Sequence, residues 1–320
     1  MKRTTKTTKT NEAAPKEYTL SDGITQSMLS NFIKCRVAAQ LSLQRWGSPA
    51  PRRATQFGSL FHVMLQDHYR SGGSANPLST FKTVATRWER QAVRAGDTIQ
   101  DIQKDLACAT ALFPAYVEHW KKSDQKKTWL EVEQVFDIKY EGVRLRGKLD
   151  GLFQTKDGSV WILETKTASQ ISEDTLNLAL TFDFQCLFYI IAIMNKFKCR
   201  VNGVLYNVIR TPQIGRKEDK GSSAYVQLLR EDIQSRPNFY FQRFELSFPK
   251  QKVDLFGVEL GQKLEDFIAW WDGKLPTYKN EFACRARWNC EYLPVCSCGG
   301  NPEKAGFKKN KTLFSELLDE

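Results

Sequence analysis

The sequence predicts an α/β fold in which a helical N-terminal part precedes a core of strands and helices. Hydrophobic residues follow a mostly helical spacing from Gln26 to Lys122. At Trp129 the pattern changes to the alternation of apolar and polar residues that is typical of strands. After the third predicted strand, a longer apolar stretch returns to helical spacing. Strands and helices that follow one another in this way indicate the α/β class.

Three amphipathic stretches make up the predicted helical part. The first covers Gln26–Trp46, begins after a capping hydroxyl at Thr25 or Ser27, and ends before two prolines. The second covers Phe57–Tyr69 and is followed by a loop rich in glycine. The third, Leu78–Lys122, is interpreted as an insertion or cap outside the core of strands and helices.

Strand patterns dominate the rest of the chain. Three consecutive strands are predicted at Trp129–Ile138, Val143–Phe153 and Val160–Lys166, with a tight turn at Asp157 and Gly158 before the third. The remaining elements are predicted as a helix at Ser172–Asn195, strands at Val201–Arg210, Tyr225–Leu229 and Asn238–Leu246, and an amphipathic helix at Val253–Asp272.

Composition narrows the function classes. The chain has 320 residues, of which 41% are hydrophobic, so it can bury a core and is not a disordered protein. The net charge is +11 and the pI is near 9.2. This excess favours a polyanionic partner such as nucleic acid, although an ordinary basic protein fits the charge about equally well.

The same sequence favours a cytoplasmic protein with no membrane partner. No stretch approaches the roughly 20 apolar residues of a membrane span, and the N-terminus has no apolar signal region. Disulfides are rare in a reducing compartment. The eight cysteines therefore indicate metal or cluster ligands, or thiols packed in the core.

Two carboxylates and one amine are predicted to converge. Residues i and i+2 of a strand lie on one face, so Glu164 and Lys166 point the same way, and Asp150 lies late in the preceding strand. Two adjacent carboxylates are unfavourable without a cation. Mg²⁺ prefers such oxygen ligands, and phosphodiester cleavage uses it to polarise the phosphate and activate water. The alternative is a salt-bridged surface hairpin.

The sequence context strengthens the catalytic interpretation. The segments Gly147–Gly151 (GKLDG) and Ile162–Thr167 (ILETKT) resemble the core of the PD-(D/E)XK nuclease superfamily. Within it they are most similar to the RecB-like branch, which includes CRISPR-associated and phage exonucleases. The resemblance implies a restriction-endonuclease-like core, with a mixed central sheet flanked by helices. It also implies that Asp150, Glu164 and the backbone carbonyl of Thr165 hold Mg²⁺ or Mn²⁺ while Lys166 aligns the attacking water.

Flanking motifs extend the resemblance. Gly58-Ser59-Leu60-Phe61-His62 fits a G-[ST]-x-x-H pattern, which makes His62 a further metal ligand. The alternative is a helix histidine of no special role. Gln185 and Tyr189 fit a Q-x-x-x-Y helix that positions DNA and metal-bound water. Either Glu131 or Glu133 lies where the family often has another acidic residue.

Four cysteines resemble the ligands of an iron–sulfur staple. Cys35 is early in the chain, whereas Cys284, Cys290 and Cys296 are late and separated by five residues each. In RecB-like nucleases this split layout holds a 4Fe-4S cluster, which four thiolates suit. Many members have only two residues between the first two late cysteines, so Cys298 could replace Cys296 as a ligand. Zinc is the alternative metal, since four cysteines also bind it.

The combined motifs predict a metal-dependent exonuclease that hydrolyses DNA from free ends in recombination, repair or CRISPR and phage DNA processing. No G-x-x-x-x-G-K-[ST] loop is present, so a helicase or recombination protein would be a separate partner. Two alternatives stay open: a catalytically inactive nuclease-fold protein that binds DNA or acts as a scaffold, and a nuclease directed at RNA.

The resemblance also suggests how the chain is divided. The predicted segments are a disordered basic tail at 1–17, a helical part at 18–128, a nuclease core at 129–275, a cysteine-rich segment at 276–300 and a C-terminal tail or helix at 301–320. Leu78–Lys122 is expected to form a wall that admits only a free DNA end. Basic residues are expected along the DNA path: Arg36, Arg144, Arg146, Lys148 and Arg210.

Overall fold

The structure is a computed structural model that describes residues 17–48, 53–73, 77–95, 97–169, 180–215, 222–285, 290–310, 312–314 and 317. The predicted basic tail lies outside these residues except for Glu17. In the described part of the chain, no helix combines the length and the apolar character needed to cross a membrane.

Helices account for most of the first third of the chain and recur between and after the strands. The α-helices are α1 Gln26–Lys34, α2 Arg36–Leu43, α3 Arg53–Arg70, α4 Pro77–Ala95, α5 Ile99–Asp124, α6 Phe184–Phe197, α7 Ser222–Ser235, α8 Pro237–Tyr240, α9 Lys250–Trp271, α10 Glu281–Cys284 and α11 Leu293–Ser297.

The strands form one large mixed sheet and one small antiparallel pair. They are β1 Ile24–Thr25, β2 Trp46–Gly47, β3 Thr128–Tyr140, β4 Val143–Gln154, β5 Val160–Ala168, β6 Gly203–Arg210, β7 Phe241–Ser247 and β8 Lys308–Lys309. The large sheet has the order β1-β4-β5-β6-β7, and β3 pairs with β4. Strands β5 and β6 are parallel, and such a pair needs a crossover, in which α6 lies.

Helices cover both faces of the large sheet. One hydrophobic cluster joins α1, α6 and α9 to one face, with Phe188 and Phe267 fully buried. A second cluster joins α3, α5 and α7 to the other face, with Phe61 and Phe113 fully buried. The predicted α/β class with a mixed central sheet flanked by helices is confirmed. Helix α5 packs directly on this sheet, although its sequence was interpreted as part of an insertion or cap.

Two predicted elements differ in type or extent. Tyr225–Leu229 is not a strand but part of α7, because Tyr225, Leu229 and Ile233 are buried at a spacing of four residues. The predicted helix Gln26–Trp46 is broken at Cys35, whose extended backbone (φ −165°, ψ 118°) ends α1 and begins α2.

Three other predicted elements are shorter than expected. Helix α6 begins at Phe184, where the Asp183 carboxylate accepts the Cys186 N–H at 2.8 Å. Residues 172–179 of the predicted helix lie outside the described residues. Asn238–Leu246 starts as the helical turn α8 and becomes a strand only at Phe241. In the segment predicted as a C-terminal tail or helix, Leu313 and Phe314 pack on the core, and residues 318–320 lie outside the described residues.

A buried ion pair ties α5 to β7. Arg243 Nη1 lies 2.6 Å from Asp124 Oδ1, and their side chains are only 5% and 11% exposed. Lys127 Nζ donates to the same carboxylate oxygen at 2.9 Å. Burial would raise the pKa of Asp124, but the hydrogen bonds and charges of Arg243 and Lys127 outweigh it and hold that pKa below its usual value.

This ion pair predicts a pH-dependent contribution to stability. A lowered carboxyl pKa stabilises the fold above the unfolded-state pKa of about 3.9, and the stabilisation is lost as pH falls through the folded-state pKa. We expect Asp124→Asn to lower the free energy of unfolding at neutral pH by about 3 to 5 kcal/mol. In urea unfolding, the difference from wild type should shrink below about pH 4.

Asp137→Asn is the matched control, because Asp137 pairs with Arg144 at the surface, with both side chains more than 40% exposed. Its effect should be no more than about 1 kcal/mol. An Asp124→Asn deficit that stays constant with pH would show that Asp124 is not held ionised by its partners.

Candidate metal centre

One cavity of about 710 Å³ is lined by all of the predicted catalytic and metal-binding residues. Its walls come from the start of α1, the middle of α3, strands β3, β4 and β5, and the start of α6. The described lining residues include none from α4 or α5. The expectation that Leu78–Lys122 forms a wall that admits only a free DNA end stays a prediction; α4 and α5 pack in the same hydrophobic cluster as α3.

The antiparallel pairing of β4 with β5 brings the acidic residues together. Asp150 and Glu164 are the next residues beyond the cross-strand pair of Gly151 with Leu163. Asp150 Oδ2 accepts the backbone N–H of Thr165 at 2.6 Å. Lys166 Nζ lies 2.5 Å from Glu164 Oε1, so the lysine and the glutamate share one face of β5 as their spacing predicts.

Helix α6 supplies the Q-x-x-x-Y side chains. Lys166 Nζ donates to Gln185 Oε1 at 2.9 Å, and Gln185 Nε2 donates to the Tyr189 hydroxyl at 3.3 Å. The chain of contacts Glu164–Lys166–Gln185–Tyr189 therefore runs from the strand to the helix. It holds the lysine amine between two acceptors at the edge of the cavity.

Helix α3 brings His62 against the same carboxylates. His62 Nδ1 lies 3.4 Å from Asp150 Oδ1 and 3.6 Å from Glu133 Oε1. Glycine suits the position one turn earlier, because a Cβ at Gly58 would make a tight contact of 3.1 Å with Thr167 Oγ1 on β5. The small residue lets the helix approach the strand closely enough for His62 to reach Asp150.

Glu133 reaches the centre through an irregular backbone. It has φ +49°, an uncommon conformation for a residue with a side chain. The pairing of β3 with β4 also shifts register between Trp129 and Glu131, as in a β-bulge. The Glu133 carboxylate is buried and lies 3.1 Å from Lys148 Nζ through its second oxygen.

The electrostatics of the centre reflect crowded carboxylates. Burial raises the pKa of Glu164 to about 7, against the opposing charge of Lys166. Burial would lower the pKa of His62, but Asp150 and Glu133 outweigh it and raise that pKa well above its ordinary value. Burial would raise the pKa of Asp150, but His62 and Lys166 lower it. The raised pKa of Glu164 favours its protonated form, and the raised pKa of His62 favours a positive charge beside Asp150.

The donor set fits a hard divalent cation. Ligand atoms of His62, Glu133 and Asp150 all lie within 4.8 Å of one another. Glu164 Oε2 is fully buried and, among the described residues, has no hydrogen-bond partner. Carboxylate oxygens with one imidazole are ligands that Mg²⁺ or Mn²⁺ accepts. The Thr165 carbonyl stays a predicted ligand.

Comparison with known proteins agrees with this geometry. Residues 24–297 match the family model described as the PD-(D/E)XK nuclease superfamily. The chain belongs to this superfamily. Divalent metal ions are typical of its nucleases, and the His62–Glu133–Asp150 centre is a matching candidate site. The chain is accordingly a nuclease-family enzyme whose expected substrate is nucleic acid.

Solved structures support the fold alone. A crystal structure from Eubacterium rectale, described as a "Putative exonuclease", is 10% identical with a TM-score of 0.52, covering 89% of this chain and 95% of that one. A second structure, of SSO0001, is 12% identical, and the match covers 66% of this chain and 84% of that one. Its TM-score of 0.21 is too low to indicate a shared fold. No curated protein matches the sequence significantly.

The sequence left the roles of two functional candidates incompletely assigned. Glu133 was one of two options, and the structure places Glu133 in the centre rather than Glu131. Lys148 was expected along a DNA path but contacts Glu133 inside the cavity. The other four basic residues expected there also have contacts within the chain: Arg36 with Pro276 and Tyr278, Arg144 with Asp137, Arg146 with Asp22 and Phe314, and Arg210 with Phe239.

The predicted cluster cysteines lie together at the opposite end of α1 from the cavity. Cys35 is buried in a small cluster with Tyr292 and Val295, and Cys290 packs against it. Burial raises the pKa of the Cys290 thiol, and Cys284, Cys35 and Cys296 add to the effect as electrostatic neighbours. Cys298 is exposed. Two more thiols are buried, Cys108 and Cys186, as expected for core residues.

The assignment of Glu133 predicts a metal-binding defect. We expect Glu133→Gln to weaken Mn²⁺ binding by at least about 10- to 100-fold. Losing a residue that only hydrogen-bonds to a metal ligand already lowers metal affinity by that factor. Calorimetric titration of the purified protein with Mn²⁺ measures this directly. Glu131→Gln is the matched control, since Glu131 lies two residues away on the same strand and outside the described cavity lining. Equal Mn²⁺ affinity in wild type and Glu133→Gln would remove Glu133 from the centre.

Proposed function

We propose that this chain is a metal-dependent DNA exonuclease that hydrolyses phosphodiester bonds from DNA ends. The observation that carries the proposal is the convergence of Asp150, Glu164 and Lys166 with His62 and Glu133 in one cavity. A degenerate, non-catalytic member of the superfamily would usually lack one of these groups. The complete set supports turnover over the scaffolding alternative.

The residues of the centre have distinct tasks in this proposal. His62, Glu133, Asp150 and Glu164, with the Thr165 carbonyl, hold one or two Mg²⁺ or Mn²⁺ ions. When bound, such ions polarise the phosphoryl oxygen and lower the pKa of a bound water. Lys166 is fixed between Glu164 and Gln185, and from there its amine orients the water and stabilises negative charge on the phosphate. Tyr189 supports Gln185 from the helix side.

DNA ends are the proposed substrate for two reasons. The net charge of +11 favours a polyanion. The motifs resemble the RecB-like exonucleases, and a structural neighbour is described as a putative exonuclease. The alternative of an RNA-directed nuclease is tested by comparing the rates at which the protein cleaves DNA and RNA. A separate helicase or recombination partner, and the pathway, stay predictions from the same resemblance.

The catalytic role of Lys166 predicts a specific loss. We expect Lys166→Ala to reduce cleavage of end-labelled linear DNA by about 10²- to 10³-fold, the usual loss when one oriented donor at a developing charge is removed. Lys156→Ala is the matched control, because Lys156 is exposed at the far turn of the same strand pair. Activity should require Mg²⁺ or Mn²⁺ and disappear with EDTA.

Closed circular DNA tests the requirement for an end in the same assay. We expect the linear molecule alone to be degraded. Efficient nicking of the circle would show that the protein is an endonuclease. Faster cleavage of RNA than of DNA would show that RNA is the preferred substrate. A folded protein that binds DNA in the presence of Mn²⁺ without cleaving it would favour the scaffolding alternative.

We also propose that Cys35, Cys284, Cys290 and Cys296 hold a 4Fe-4S cluster. The four thiols are electrostatic neighbours, and Cys35 and Cys290 pack in one small cluster. Their split layout of one early and three late cysteines resembles the cluster ligands of RecB-like nucleases, which supports iron–sulfur over zinc.

The proposed cluster predicts the metal content of the protein. Protein purified without oxygen should be brown and contain about four iron atoms and acid-labile sulfide. Cys296→Ala should lose the iron, whereas Cys298→Ala should retain it because Cys298 is exposed and Cys296 lies among the other thiols. Cys199→Ala serves as a control for thiol loss elsewhere. Stoichiometric zinc without iron would identify zinc as the bound metal. Loss of iron in Cys298→Ala alone would show that Cys298, and not Cys296, is the fourth ligand.

A further inference from the structure

A row of polar side chains crosses the sheet directly beneath the metal centre. Thr165 on β5 pairs with Asn207 on β6, and Asn207 pairs with Arg243 on β7. The neighbouring residues on this face, such as Leu163 and Leu205, belong to the hydrophobic cluster under α3 and α5. The polar row therefore interrupts an otherwise apolar layer, where an unpaired polar group would be costly.

Asn207 makes hydrogen bonds to three neighbours through both atoms of its side-chain amide. Its Nδ2 donates to Thr165 Oγ1 at 3.1 Å and to the Tyr116 hydroxyl at 2.9 Å. Its Oδ1 accepts from Arg243 Nε at 3.2 Å. Asn207 is fully buried and Thr165 is 1% exposed, so water does not compete for these contacts. The amide is held in one orientation by partners from two directions.

Helices on the same side anchor Arg243. Its Nη2 donates to the hydroxyls of Tyr69 at 3.0 Å and Tyr116 at 2.8 Å, and both its Nη atoms contact Asp124. The network thus extends from α3 and α5 through β7 and β6 to Thr165. Nothing in this network lines the catalytic cavity except Thr165 itself.

Thr165 transmits this constraint to the centre. It stands between Glu164 and Lys166 in the chain, and its N–H donates to Asp150 Oδ2 at 2.6 Å. One residue is therefore bound through its side chain by Asn207 and through its backbone by a metal-facing carboxylate. Rotation of Thr165 would move the Asp150 contact and the flanking catalytic side chains together.

We propose that Asn207 is a positioning residue of the nuclease centre. It fixes Thr165 through the hydroxyl, and Thr165 in turn fixes the Asp150 carboxylate in the orientation that metal binding needs. The inference rests on the proposed metal-dependent function. Hydrogen-bonded residues behind metal ligands set their orientation, and losing such a residue typically weakens metal binding by about 10- to 100-fold.

The cleanest test removes only the hydroxyl that Asn207 contacts. Thr165→Val keeps the shape and the backbone N–H, and it leaves Asn207 Nδ2 with Tyr116 as a partner. We expect the Mn²⁺ dissociation constant, measured by electron paramagnetic resonance titration of the unbound ion, to rise about tenfold. Thr165→Ser restores the hydroxyl and should restore Mn²⁺ affinity. Asn207→Ala should reproduce the Thr165→Val defect.

Tyr69→Phe separates positioning from general stability. It removes a hydroxyl from the far end of the same network, so it should lower the midpoint of thermal unfolding while Mn²⁺ affinity stays at the wild-type value. Unchanged Mn²⁺ affinity in Thr165→Val, or an equal loss in Tyr69→Phe, would overturn the positioning role. Wild-type protein that binds no Mn²⁺ would overturn the proposed metal-dependent function itself, a result distinct from either of these.

Discussion

Crowding of buried carboxylates is the constraint on which the rest of the site depends. Glu133, Asp150 and Glu164 line one cavity, and three negative charges in one buried site cannot all remain ionised without compensating positive charge. Among the described residues that line the cavity, all the basic side chains serve this purpose: Lys166 contacts Glu164, Lys148 contacts Glu133, and His62 lies between two of the acids. Even so, Glu164 retains a buried oxygen with no partner among the described residues. The arrangement is unfavourable for a structural cluster and suited to a divalent cation.

The acids reach this cavity because the backbone departs from regular geometry where they are needed. Glu133 adopts a positive φ beside a register shift in β3, which is the kind of irregularity that redirects a side chain next to an active site. Gly58 permits the close approach of α3 that brings His62 to Asp150. The regular part of the sheet contributes the remainder, since two-residue spacing alone places Glu164 and Lys166 on one face.

The sequence was most informative where local pattern decides structure. Strand alternation predicted the strands and the hairpin of β4 and β5, and the family resemblance implied the mixed sheet and the segments that meet in the cavity. Glu133 could not be chosen over Glu131, because its position depends on a bulge that alternation does not reveal. Tyr225–Leu229 was mistaken for a strand because five residues are too few to distinguish the two periods; Ile233 was needed to complete the helical face. Lys148 was expected along the DNA path, and no local signal predicted its ion pair with Glu133.

The two sides of the sheet hold the centre by different physical means. On the side of α3 and α5, a fully hydrogen-bonded polar network fixes Thr165 from below, and it gains strength from exclusion of water. On the other side, α1 begins at the cavity wall with Gln26 and ends against Cys35, a span of about 14 Å for nine residues. Direct contacts already join this end of α1 to the late part of the chain, since Asn280 Nδ2 donates to the Lys34 carbonyl at 2.7 Å. A cluster at Cys35 would therefore reinforce an existing contact, and its loss should loosen the α1 wall of the cavity more than the carboxylates that α3 and the sheet hold in place.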